Sequence, residues 1–384
     1  MTTQSRHTKT DSTSRLPRPK ELAIMTDRQF FRCLQAENAL TRAAVSQLTG
    51  ISKPTISEST QRLLKQQLIV ETSQRTTGHQ GPGGVIYQIN AARGFALGIA
   101  IDSESLTAQA VNLRGETIWE LAQPLPADGS RKTLIKALQE TIKNSENHTK
   151  IPLLAICFSI ADPINPNSGK VISLPESPFP LAHNMDVLEE IIPDWHGPIA
   201  IDNDVNLATF AEHKLGTMQE QDNFLYVYLG VGVGAGVFMS GQVQRGANGL
   251  AGEIGYLKDS PNHTILDLMK QEFTLQKQAG TPLYLSHKIL DAIANSIVSS
   301  AIIINPAAIV IGGAFADDAN VYPYIKQKIA SLLLYPIEIV PSHFSKTGPL
   351  IGASITAYEE ALVALGMLDA STDLRKVGFT RTNG

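Results

Sequence analysis

The sequence predicts an α/β protein in two parts, an N-terminal winged helix-turn-helix and a larger two-lobed body. Three observations predict it. A helix pair with capping residues at both starts spans Leu40 to Glu71, and two short strands around a Gly/Pro-rich loop follow it. A strand pair with glycine at every second position, Gly230, Gly232, Gly234 and Gly236, lies mid-chain. Around that pair, β-rich and then α-rich stretches occur twice, which suggests two similar lobes with a cleft between them.

Composition sets the outer limits. At 384 residues the chain has room for two or three domains, and 43% hydrophobic residues is ordinary for a globular protein. Two cysteines far apart, Cys33 and Cys157, exclude a disulfide framework and any site of three or four thiolates. The N-terminus is polar and no apolar run approaches the ~20 residues of a membrane span, so a cytoplasmic protein without membrane contact is expected. The net charge of −4 hides an asymmetry: residues 1–93 hold 13 Lys and Arg against 6 Asp and Glu, whereas the remainder holds 19 against 30. A basic end on an acidic body suggests that one end meets a polyanion.

Residues 1–20 are rich in Ser, Thr, Arg and Lys with Pro17 and Pro19, and read as a disordered arm. Glu21 to Gln35 has helical apolar spacing at Leu22, Met25, Phe30, Phe31 and Leu34. Thr41 then caps a short helix that turns Ala44, Val45 and Leu48 inward. Gly50 suits the positive φ of the turn, and Ser52 caps a second helix with Pro54 in its first turn. Ile56, Leu63 and Leu64 face inward, which leaves Lys53, Thr55, Ser57, Ser59 and Arg62 for double-stranded DNA. Leu68–Thr72 and Val85–Asn90 read as wing strands, with Arg75 and His79 at or near the tip. The DNA-binding unit is placed at 21–92 and the body at 93–384.

In the body, Phe95–Ile101, Leu106–Asn112 and Glu116–Pro124 read as a meander, Arg131–Lys143 as a helix and Leu153–Ser159 as a buried strand. Ile199–Asp202 is a further short strand and Asn206 to Leu215 a helix. The glycine-rich pair turns at Ser240-Gly241 and ends in a second glycine cluster around Glu253. Alternate glycines strip one strand face of side chains, so either a ligand or another backbone can approach closely. Spacing alone does not choose between them. No Gly-Lys-Ser/Thr follows, and the glycines do not sit at a strand-to-helix turn, so neither a Walker loop nor a dinucleotide fingerprint is present. Leu266–Gln278, Ser286–Asn305, Tyr322–Leu333 and Gly352–Leu365 read as helices, and Ala308–Ile311 and Glu338–Pro341 as strands.

Four motifs in this order, the helix-turn-helix, IDNDVNLATFAE (Ile201–Glu212), LGVGVGAGVFMSGQVQRGANGLAGEIG and NPAAIVIGG (Asn305–Gly313), make the chain resemble the ROK family of repressors, open reading frames and sugar kinases. The similarity runs from about Glu21 to Leu368 and is to the winged-helix repressor branch. It implies an actin/hexokinase-like body that binds a sugar or sugar derivative between its lobes. By the same resemblance Asn203 and Asp204 match the family's Asn-Asp pair, whose aspartate is the base in kinase members. Glu253 matches a glutamate that bonds sugar hydroxyls, while Asn248 and Glu176 fall at or near two further sugar positions. Gly312 and Gly313 match nucleotide-side glycines.

The departures from the family pattern are informative. Kinase members carry Asp-x-Gly-Gly-Thr on the first strand; here the residues are Asp102-Ser103-Glu104-Ser105-Leu106. The loop glycines are gone and Glu104 puts a negative charge where phosphates would lie, which opposes phosphoryl transfer. Asn248 replaces the histidine of the family's zinc site and Ser260–Leu268 has no cysteine, so neither zinc nor another cofactor is expected. The expectation is a non-enzymatic DNA-binding regulator, probing operator DNA as a homodimer or homotetramer, with the apolar C-terminal helix contributing to assembly. A sugar kinase with an appended DNA module, and a repressor governed by a partner protein, are the alternatives.

Overall fold

The computed structural model describes residues 18–75, 84–125, 129–369 and 378–381, and the chain divides into two compact units, 1–90 and 91–384. In the first unit, α1 (Pro19–Glu37) begins within the stretch read as an arm, with Pro19 at its first position and the Arg18 amide bonded to Glu21. The short strand β1 (Ala39–Thr41), not anticipated from sequence, leads into α2 (Arg42–Thr49). The Thr41 hydroxyl accepts the Ala44 amide, Gly50 turns the chain at φ 71°, and Ser52 accepts the Thr55 amide to start α3 (Lys53–Lys65). Strands β2 (Ile69–Arg75) and β3 (Val85–Ile89) form the wing, with β1 added in the order β1-β3-β2. Phe30, Phe31, Leu34, Val45, Ile56 and Leu63 fill the core of this unit. Leu22, Met25 and Leu48, expected inward, are exposed.

The body's first lobe holds β4 (Phe95–Ile101), β5 (Ser105–Asn112), β6 (Thr117–Pro124), α4 (Arg131–Thr149), β7 (Leu153–Ile160), the one-turn α5 (Val187–Glu190) and β8 (Ile199–Asn203). Helix α6 (Asp204–Leu215) leads to the second lobe, with β9 (Phe224–Leu229), β10 (Val233–Met239), β11 (Gln242–Gln244), the small pair β12 (Lys258–Ser260) and β13 (His263–Thr264), α7 (Ile265–Gln278), α8 (His287–Ile304), β14 (Ala308–Gly312), α9 (Val321–Leu332) and β15 (Glu338–Pro341). The chain then returns to the first lobe through α10 (Gly348–Ala364) and β16 (Phe379–Arg381). The two sheets run β16-β8-β7-β4-β5-β6 and β11-β10-β9-β14-β15. Strands β4, β7 and β8 are parallel neighbours, as are β9, β14 and β15. All seven β4 residues are buried, as a strand covered on both faces must be.

Helices α6 and α10 lie between the sheets. Val205, Ala208 and Phe210 of α6 join Phe224, Tyr226 and Phe238 of the second lobe, while Leu207 meets Ala353, Ala357 and Ala361 of α10 over Ala96, Ala155 and Ala200 of the first. Small residues permit the approach: a Cβ on Gly98 would stand 2.5 Å from the Ser354 nitrogen, and one on Gly352 2.0 Å from the Leu207 oxygen. The last helix is therefore core material within the chain, with Gly352, Ala353, Ala357 and Ala361 buried. α8 is apolar and long enough by composition to cross a membrane, yet Ile289, Ile293 and Ile297 are fully buried in the second lobe's core.

Candidate functional site

The exposed start of α3 carries the candidate DNA-contacting groups. Lys53 is exposed, Thr55 shares a 2.8 Å hydroxyl contact with Ser52, and half-buried Ser57 accepts from Arg42 Nη1 at 3.3 Å. Arg42, not singled out from sequence, thus brings an exposed cation to the same face. Arg75 ends β2, and His79 lies outside the described residues.

Two members of this set are placed otherwise than expected. Ser59 is fully buried and donates to Asp27 Oδ1 at 2.5 Å; Arg62 clasps the same carboxylate through Nε at 2.9 Å and Nη2 at 2.7 Å. Asp27 is itself 4% exposed, so a buried charge on α1 needs both partners. Ser59 is removed from the DNA-facing set, and Arg62 ties α3 to α1. Arg62→Ala is expected to lower the stability of this unit by about 2 kcal/mol through loss of charged hydrogen bonds to Asp27. Urea unfolding followed on the N-terminal unit checks this, and an unchanged midpoint would refute the tie.

In the body, a cleft of about 840 Å³, counting its open mouth, runs between the lobes. The chain-reversing ends of β4, β7, β8 and β9 supply its walls, with Asp102, Asp162, Asn203, Asp204, Tyr228, Gly230, Gly232, Gly234 and Glu253 among the lining residues. Asn203 caps α6, its Oδ1 accepting the Val205 and Asn206 amides at 2.9 and 3.2 Å while Nδ2 donates to Asp204 Oδ1. The Val205 amide also reaches Asp204 Oδ1 at 2.8 Å. Both contacts fall on Oδ1, so Oδ2 is the Asp204 oxygen left for a ligand. Behind this pair, buried Asp202 binds Arg245 through Nε at 2.8 Å and Nη2 at 2.6 Å.

Asn248 and Glu176 do not line the cleft. Both are exposed, and Glu176, in a left-handed conformation at φ 62°, pairs with Lys270 of α7. Residues that sequence reasoning missed take their place. Asp162 follows β7 and is 3% exposed; its Oδ1 accepts the Ser177 hydroxyl at 2.6 Å. Tyr228 and Tyr256 add rings, and the Tyr256 hydroxyl is fixed on the Pro175 carbonyl at 2.7 Å. The signal for Asp162 is a carboxylate two residues beyond a strand that is apolar but for Ser159. Asp102 is turned on its own loop: its Oδ1 accepts the amides of Glu104 and Ser105, each at 2.7 Å. Those amides would be the natural phosphate donors here, and they are spent.

Burial raises three of the cleft acids. Asp204 is pushed up to about 8, with the Val205 amide opposing and Asp102, Glu253 and Asp162 adding repulsion. Burial lifts Glu253 to about 7, assisted by Asp162, and Asp162 to about 7 against its Ser177 bond. These acids hold protons in the folded state that the unfolded chain releases near pH 4, so their contribution falls as pH rises from about 4 to 8. The ligand-free protein should lose melting temperature between pH 5.5 and 8.5, and Asp162→Asn should flatten the slope. A flat wild-type profile, or a slope indifferent to the substitution, would contradict this.

Fold and cleft define a two-lobed actin/hexokinase-like body, which follows a winged-helix unit in the chain. Residues 96–266 match the model of the ROK family. It is 29% identical over 226 residues to a putative xylose repressor of Caldicellulosiruptor sp. (strain Rt8B.4), covering 57% of this chain and 54% of that protein. The chain thus spans about half the length of that relative. It is 24% identical over 368 residues to the xylose repressor of Bacillus spizizenii (strain ATCC 23059 / NRRL B-14472 / W23), covering 84% and 92%. Among solved structures, a ROK family transcriptional regulator described as a homologue of the E. coli MLC protein superposes with a TM-score of 0.66 at 19% identity, over 90% of this chain and 99% of that one. A ROK family glucokinase from Streptomyces griseus, in complex with glucose and AMPPNP, gives 0.56 at 16% identity over 68% and 98%.

Proposed function

We propose that the protein is a DNA-binding transcriptional repressor whose interlobe cleft senses a sugar, with no phosphoryl transfer. The observation that carries this reading is the first turn of the body: the backbone amides of Glu104 and Ser105 are folded onto Asp102, and Glu104 faces the cleft. A nucleotide would meet two carboxylates there instead of free donors. What remains is a sugar-sized cleft coupled by one chain to a capped helix pair with an exposed cationic start. The repressor names of relatives aligned over most of the chain support the same reading.

In this reading Asp204 and Glu253 contact the sugar, and Asn203 holds Asp204 in place. Lys53, Thr55 and Ser57, with Arg42 beside them, meet operator DNA in the cytoplasm. Arg75 and His79 of the wing add backbone or minor-groove contacts. The protein acts as a homodimer or homotetramer, since helix-turn-helix readers match paired half-sites. A sugar shifts DNA affinity only as far as it binds the two arrangements unequally.

Binding to DNA from upstream of its own gene, at two salt concentrations and across a panel of sugars, tests the proposal. Specific binding that one sugar alters is expected. Lys53→Ala should weaken operator binding about threefold to tenfold and reduce the salt slope by about one. Sugar-dependent ADP production by the purified protein, or no specific DNA binding, would overturn the reading.

A further inference from the structure

The cleft contains an acceptor without a donor. Asp162 Oδ2 is buried and has no hydrogen-bond partner, although Oδ1 of the same group is satisfied by Ser177. Buried carboxylate oxygens are ordinarily paired, and one left open inside a binding cleft points to a donor that arrives with the ligand. The surroundings restrict that donor. Asp102, Glu104, Asp204 and Glu253 line the same cleft, and among its described lining residues there is no Lys, Arg or His. Arg245 is committed to Asp202, and Lys270 to Glu176.

A neutral sugar would satisfy single acceptors but supply no counter-charge when these acids ionise. A sugar phosphate or sugar acid would add to it. An ammonium supplies three donors and a positive charge in one group. We propose that the ligand of this cleft is a sugar bearing a protonated amine, and that Asp162 receives the amine through Oδ2. The inference rests on the reading of the cleft as a sugar site. Leu174, Pro178, Phe179 and Leu266, which also line the cleft, offer apolar surface to the carbon face of such a ring.

A cation docked here also offsets the burial that raises Asp162, and the burial and repulsion that raise Asp204 and Glu253. Docking should therefore release protons. The groups facing Asp162 that share in this are Asp102, Glu104, Asp204, Glu253, Tyr228 and Tyr256, with Ser177 as its fixed donor.

The test is calorimetry on the full chain at pH 6.5 in two buffers of different ionisation heat. The probes are glucosamine, mannosamine and galactosamine, their parents glucose, mannose and galactose, then xylose and glucose 6-phosphate. One amino sugar is expected to bind at least about tenfold more tightly than its own parent, with net proton release. Asp162→Asn should bring that pair to within about twofold. Tighter binding of a neutral sugar or of glucose 6-phosphate would overturn the inference. So would no binding by any amino sugar, or an amine preference that survives Asp162→Asn. Should the variant not fold, proton release by the wild type decides. Operator binding is measured separately: amino-sugar binding without it keeps this inference and removes the repressor, whereas operator binding tuned only by a neutral sugar does the reverse.

Discussion

Arg245→Ala is expected to lower the stability of the body by about 3–5 kcal/mol, the usual cost of stranding one member of a buried ion pair. The pair joins the two lobes. Arg245 follows β11 of the second lobe, and Asp202 closes β8 of the first; their side chains are 11% and 1% exposed. Asp202 also accepts the Asn203 amide at 2.8 Å and the Asn206 side chain at 3.2 Å, so it anchors the start of α6 as well. With the guanidinium gone, Asp202 keeps two neutral donors and no counter-charge. For a body of this size the loss corresponds to a fall in melting temperature on the order of 10 °C. Adding Asp202→Asn to the variant should recover part of it, because the stranded charge and not the missing contact area dominates. A change of less than about 2 °C would show that the pair is solvated and that the lobes are held by α6 and α10 alone.

The local grammar of the chain carried much of this architecture. Thr41, Gly50, Ser52 and Pro54 take the cap, turn and first-turn places that their chemistry dictates. The bare glycine face serves both purposes that spacing left open. Gly230, Gly232 and Gly234 line the cleft, whereas a Cβ on Gly236 would fall 1.7 Å from the Thr209 hydroxyl oxygen, so that position packs on α6.

Residue type misleads where helical position decides, and a distant partner leaves no local signal. Ser59 shares the i, i+3, i+4, i+7 stripe of Ile56, Thr60 and Leu63, and that stripe is the buried one; its hydroxyl suggested the surface only by chemistry. Its partner Asp27 lies 32 positions away. Glu176 and Asn248 sit on loops, whose paths periodicity does not fix, and both are exposed and outside the cleft lining. Asp162 acquires its meaning from Asp204 and Glu253, which only the folded chain brings near it. Strand β16 returns to pair with β8, Phe379 opposite Ile201, a non-local contact without a local signal.

Asp204→Asn is expected to uncouple sensing from DNA binding: sugar affinity at pH 8.5 falls about 10- to 100-fold, while operator affinity without sugar stays within about twofold. Asparagine is nearly isosteric, and its carbonyl oxygen can still accept the Val205 amide and the Asn203 side chain, so the start of α6 is kept. What changes is the oxygen left for a ligand, which becomes an NH2 donor facing groups that themselves donate. The effect should depend on pH. Burial holds the Asp204 proton until about 8, so at pH 6.5 the wild type is already mostly protonated and its advantage over the variant narrows. The variant should also be the more stable protein at pH 8.5, because it no longer has to bury a charge. Because coupling is reciprocal, a variant that has lost the sugar must also lose the sugar's effect on the operator, at any sugar concentration that saturates only the wild type. Unchanged sugar affinity at pH 8.5 would remove Asp204 from the site, and loss of operator binding without sugar would make it a structural residue of the whole chain instead.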